Sequence, residues 1–107
     1  MSFIRDHCFK EVSAYTQSAK ETLIPDGETW EIQLFVGSAA YLAETVVKLV
    51  WDFGGANAEV ISSTHGDTTI PVVKTLVGNG AKKLAIVLCN DSGNAQILGG
   101  AFEGKKI

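Results

Sequence analysis

Cysteine, proline and histidine are each present only twice in this 107-residue chain, and methionine once. Cys8 and Cys89 are too few for a disulfide framework, and no Cys-x-x-Cys spacing supports a zinc or dithiol redox motif. They read as two free thiols in a reducing compartment. His7 and His65 lie far apart and form no His-x-His pair, which argues against a metal centre built from converging imidazoles. No apolar run approaches the ~20 residues of a membrane helix, so no membrane partner is expected. The segment Met1–Cys8 shows no basic stretch followed by an apolar core, so no signal peptide is visible. A basic stripe is missing too. Nine Lys and Arg are scattered among twelve Asp and Glu, for a net charge of −3. Counterion release would then contribute little affinity for nucleic acid, and none is expected as a partner.

What the chain has is rhythm. Apolar residues make up 46% and charged residues 20%, which places it among folded globular domains. At this length one domain is expected, residues 1–107, with enough core to stand without staples. Residues 1–8 read as an N-terminal arm. Strand-like segments follow at 9–15, 20–24, 28–36, 45–53, 58–64, 68–77, 82–90 and 95–102. Pro25-Asp26-Gly27, Gly54-Gly55, His65-Gly66-Asp67, Gly78-Asn79-Gly80 and Asp91-Ser92-Gly93-Asn94 separate them. Pro71 places segment 68–77 at an edge or a bulge, because proline donates nothing to a ladder. Gly78–Gly80 is expected to close a hairpin into 82–90, and Gly99-Gly100 to mark a bulge or a close backbone approach. With no helices between strands, the expected fold is all-β. It is a two-sheet antiparallel sandwich, jelly-roll-like, of about eight strands.

Candidate chemistry is sparse. Ser62-Ser63-Thr64-His65-Gly66-Asp67 holds a hydroxyl, an imidazole and a carboxylate, but neighbours in a turn usually diverge. A polar turn is the plainer reading; a small enzyme centred on His65 with Asp67 or Asp52 is the sharper one. The glycine pairs open no helix and match no phosphate loop, and no cofactor is expected. Trp30 and Trp51 fall in phase with aliphatic residues and read as core. Tyr41, in an irregular connection at 37–44, is the better exposed aromatic. Tyr41, His65 and Asp67 are therefore the candidate ligand contacts.

The second faces of several strands are also apolar. From 28 to 36, Trp30, Ile32, Leu34 and Val36 share one face and Phe35 lies on the other. Val46 and Val50, Val73 and Val77, and Val87 occupy second faces elsewhere. An apolar excess of this kind marks a partner surface, or else a face covered within the chain by residues 1–20 or the 37–44 connection; the first is the leading expectation. Phe35, Val46, Val50, Val73, Val77 and Val87 are the expected self-association residues, and the chain is expected to be a homo-oligomer.

The run Leu23-Ile24-Pro25-Asp26-Gly27-Glu28-Thr29-Trp30-Glu31-Ile32, with Gly78-Asn79-Gly80 and Leu84–Asn90, resembles small β-sandwich proteins of phage and prophage structural gene sets. The resemblance covers about residues 22–104 and supplies no catalytic residues. It implies a virion or tail-associated structural part, located in the virion or the cytoplasm, with other virion proteins as partners. The expected function is thus a non-enzymatic, oligomeric structural or binding module. A carbohydrate-binding module with a glycan partner is the alternative.

Overall fold

The computed structural model describes residues 2–39 and 43–107. Eight strands run along the chain: β1 Ser2–Val12, β2 Thr16–Leu23, β3 Thr29–Ser38, β4 Thr45–Trp51, β5 Glu59–Thr64, β6 Thr68–Val77, β7 Lys83–Asn90 and β8 Gln96–Lys106. They form two four-stranded sheets, a first of order β1-β8-β3-β6 and a second of order β2-β7-β4-β5. Every pairing is antiparallel. This is the strand order of an eight-stranded jelly roll, and the expected all-β sandwich is what the chain forms.

The expected arm is corrected. Residues 2–8 belong to β1, which pairs with β8 without interruption from Ser2–Lys106 to Val12–Gln96. Charged residues on both faces of β1 hid its period. Only one face carries the core anchors Ile4 and Val12. The expected hairpin at 78–80 is also corrected, because β6 and β7 lie in different sheets. The Asn79 side chain accepts from the Ala81 and Lys82 amides at 2.9 and 2.8 Å. Gly78 and Gly80 donate to the carbonyls of Glu28 and Ile24. This connection therefore docks on the Ile24-Pro25 corner, where Ile24 is fully buried. As Pro71 indicated, β6 is an edge strand, with a register break against β3.

The core lies between the sheets. Trp30, Ile32, Phe35, Leu98 and Phe102 from the first sheet meet Val47, Leu49, Trp51, Leu84, Ile86 and Leu88 from the second. Both tryptophans are core residues, as their phase indicated. A register shift between Ile32 and Leu34 changes the phase of β3. Leu34 and Val36 turn outward, half-buried, and Phe35 turns inward, fully buried.

Candidate functional site

The His65 turn is a structural turn in its details. The Thr64 hydroxyl and Gly66 bond each other, the amide of Gly66 reaching Thr64 Oγ1 at 3.3 Å. His65 Nδ1 lies 2.8 Å from the Thr45 carbonyl; facing an acceptor, that nitrogen carries the proton. Asp52 follows β4 at the end opposite Thr45, so the geometry does not bring it to His65. Asp67 is exposed one residue beyond Gly66. No group of three or more His, Cys, Asp or Glu side chains placed to hold a metal occurs among the described residues. Tyr41 lies outside the described residues.

The apolar second faces divide into two groups. On the second sheet, Val50, Ala85, Val87 and Cys89 form a buried cluster with half-buried Val46 and Phe53 packed against it. Their register neighbours Gln17, Ala19 and Glu21 on β2 and Lys48 on β4 stand on the same face. Val50 is 6% and Val87 3% exposed, so this cluster is a small satellite core within the chain. Phe35 is corrected as a surface residue, because the β3 bulge buries it completely.

The first sheet is different. Its outer face exposes Phe3, Phe9, Val73, Val77 and Ile97, each with more than half of its surface open. Leu34, Val36 and Ala101 lie half-buried among them. Val73 and Val77 were legible as second-face residues. Sequence reasoning misses Phe3, Phe9 and Ile97; their signal is the Phe3/Phe9 alternation with Ile4, which the charged residues on both faces of β1 mask. The Phe9 ring lies over Gly99, in the space that a Cβ there would occupy. Beside it, His7, Val36, Ser38, Gly100 and Ala101 line an open groove of about 240 Å³. On this face Arg5 is the register partner of Glu103, Lys105 pairs with Glu31 at 3.8 Å, and Glu11, the register partner of Ile97, adds a third carboxylate.

A second depression, about 250 Å³, opens on the outer face of the second sheet near the β1–β2 turn. Cys89 and Val46 form its floor, and Tyr15, Gln17, Lys48 and Asp91 stand around it. Cys89 Sγ lies 3.7 Å from Gln17 Oε1. Burial pushes the Cys89 thiol up; Lys48 opposes this and Asp91 adds to it. The thiol is therefore neutral near pH 7 and is not an activated nucleophile.

No helix among the described residues is long and apolar enough to cross a membrane. No protein-family model matches the chain, and no curated protein matches it.

Proposed function

We propose that this chain is a non-enzymatic, self-associating structural module that docks on a second copy through the outer face of its first sheet. The observation that carries this reading is the set Phe3, Phe9, Val73, Val77 and Ile97, all exposed on that one face. Four strands spaced about 4.8 Å apart and up to eleven residues long give a face of roughly 700 Å² in plan. A standard interface covers roughly 800 Å² per partner, so one copy is a sufficient occupant. Arg5 and Lys105 stand beside Glu103 and Glu31 on this face, so a self-complementary two-fold contact can set opposite signs against each other.

The strand edges are poorer docking sites. Pro71 sits on the β6 edge, and Lys20 Nζ occupies the His7 carbonyl on the β1 edge at 3.1 Å. Both devices discourage edge-to-edge pairing. A virion or tail component is the most concrete form of this proposal. Its support is the Ile24–Gly27 corner leading into Trp30, together with a face sized for a copy of the chain.

Sedimentation velocity from micromolar to hundreds of micromolar tests it. The wild type should run as a dimer or larger, and the double variant Phe9→Glu, Val73→Glu as a monomer. Each change removes roughly 1.5–3 kcal/mol of apolar burial, so association should weaken at least ~100-fold. A wild type that stays monomeric, or a double variant that assembles unchanged, overturns the proposal.

A further inference from the structure

The depression beside Tyr15 has no part in that interface, since it opens on the opposite sheet. Tyr15 is 74% exposed, so packing does not account for its ring. It also sits at φ 58°, a left-handed conformation that is strained for a bulky side chain. The turn is held from several sides. The Tyr15 amide donates to the Ser92 carbonyl at 3.3 Å, and the Thr16 hydroxyl to the Ser13 carbonyl at 2.7 Å. A Cβ at Gly93 would stand 3.2 Å from the Tyr15 hydroxyl oxygen, so only a small residue lets the phenol lie there unhindered. The backbone thus holds the Tyr15 turn at the rim of a polar hollow.

Around that hollow the chemistry is mixed. Asp91 offers acceptors, Lys48 donors, and Gln17 both. Their formal charges cancel, so neither an anion nor a cation is favoured. Cys89 and Val46 give a small apolar floor. The volume lies below the roughly 300–1,000 Å³ of sites for drug-sized ligands. A ligand that fits must be small, uncharged and amphipathic, with one apolar face for a ring and hydroxyls around its edge. We infer that this depression binds one pyranose ring of a neutral glycan, stacked on Tyr15 and hydrogen-bonded by Asp91, Gln17 and Lys48. The buried tryptophans take no part; the aromatic platform is Tyr15.

Saturation-transfer difference NMR on the full chain tests the inference. The probes are the methyl glycosides of glucose, galactose, mannose and N-acetylglucosamine, with glucose 6-phosphate and glucosamine as charged controls. At least one methyl glycoside should bind with a dissociation constant in roughly the millimolar range expected for so small a ligand. Tyr15→Gly relieves the backbone strain, so the fold should hold, by unchanged circular dichroism and melting, while affinity drops about tenfold or more. Tyr15→Phe should stay within roughly threefold of wild type, since it keeps the ring. Asp91→Asn should weaken binding by about tenfold through loss of the charged acceptor. No transfer to any methyl glycoside overturns the inference. So does a folded Tyr15→Gly that binds as wild type, or tighter binding of either charged control.

Discussion

Asn90 shows how much of this fold hangs on one polar side chain. It is completely buried at the end of β7, and its amide makes five hydrogen bonds. Nδ2 donates to the carbonyls of Val12 at 3.0 Å, Ser13 at 3.4 Å and Asn94 at 2.9 Å. Oδ1 accepts from the Ser92 amide at 2.9 Å and its hydroxyl at 2.6 Å. One residue thereby joins the end of β1 to the loop before β8. Asn90→Ala would leave buried carbonyls and an amide without partners, each at roughly 1–3 kcal/mol. A loss of about 3 kcal/mol in urea unfolding is expected; a loss below about 1 kcal/mol would show that water replaces the amide. Val87 supplies a contrasting case. As it is 3% exposed within its satellite cluster, Val87→Asp places a carboxylate among Val50, Ala85 and Cys89. The expected outcome is a fall in stability of about 3 kcal/mol or more at pH 7, with the mass of the folded fraction unchanged. A stable, dissociated variant would instead assign Val87 to a copy interface.

At the scale of elements, β3 decides what was legible. Its strict alternation through Trp30, Ile32, Leu34 and Val36 indicates a strand, and a strand forms at Thr29–Ser38. Alternation in one strand carries no information about a register shift, which depends on two neighbours at once. The bulge after Ile32 therefore reversed Phe35 and Val36 relative to expectation. The same blindness affects pairing: Gly78-Asn79-Gly80 announces a turn, but not that the chain crosses between sheets there. Turns, strand count and the edge position of Pro71 were legible because each rests on local backbone chemistry. The Tyr15 depression was not, because Gln17, Lys48, Cys89 and Asp91 meet only after β2, β7 and β4 align. The bulge also rests on Gly104, the register partner of Ile32, whose missing Cβ leaves room for the Glu31 carbonyl. A methyl there meets backbone that cannot rotate away. Gly104→Ala should cost more than Gly100→Ala, whose Cβ would meet the side-chain ends of Ile86 and Val47 at 2.7 and 2.8 Å. Overpacked side chains cost roughly 1–3 kcal/mol. Thermal melts of the two variants test the order; an equal or smaller loss for Gly104→Ala would show that β3 shifts to accommodate it.

Across the whole molecule, a two-layer sandwich is open along two sides, and an ion pair joins the sheets at each. Lys20 of β2 meets Asp6 of β1 at 2.6 Å, and Lys74 of β6 meets Glu59 of β5 at 2.7 Å. The Asp6 site is the more elaborate, since Thr22 also donates to its carboxylate at 3.1 Å and the His7 amide at 2.8 Å. Burial alone would raise the Asp6 carboxyl. Lys20, the His7 amide and Thr22 together outweigh it and hold the group below its ordinary value. The sign for stability follows from that direction. The folded state binds the proton less readily than the unfolded chain, whose aspartates titrate near ~3.9. Asp6 therefore contributes its full stabilisation above about pH 5, and this contribution fades as pH falls through ~3.9 toward the lower folded value. Because the pair is partly solvated, its worth is about 1 kcal/mol, not the larger figure of a buried pair. Asp6→Asn should accordingly unfold about 1 kcal/mol more easily than wild type at pH 7, with the difference narrowing once pH falls below ~3.9, as a comparison at pH 7 and about pH 3 would read. Urea titrations at both pH values measure it. A difference that persists unchanged at the lower pH would mean that Asp6 acts through packing at the β1–β2 side, and that charge does not hold the two sheets together there.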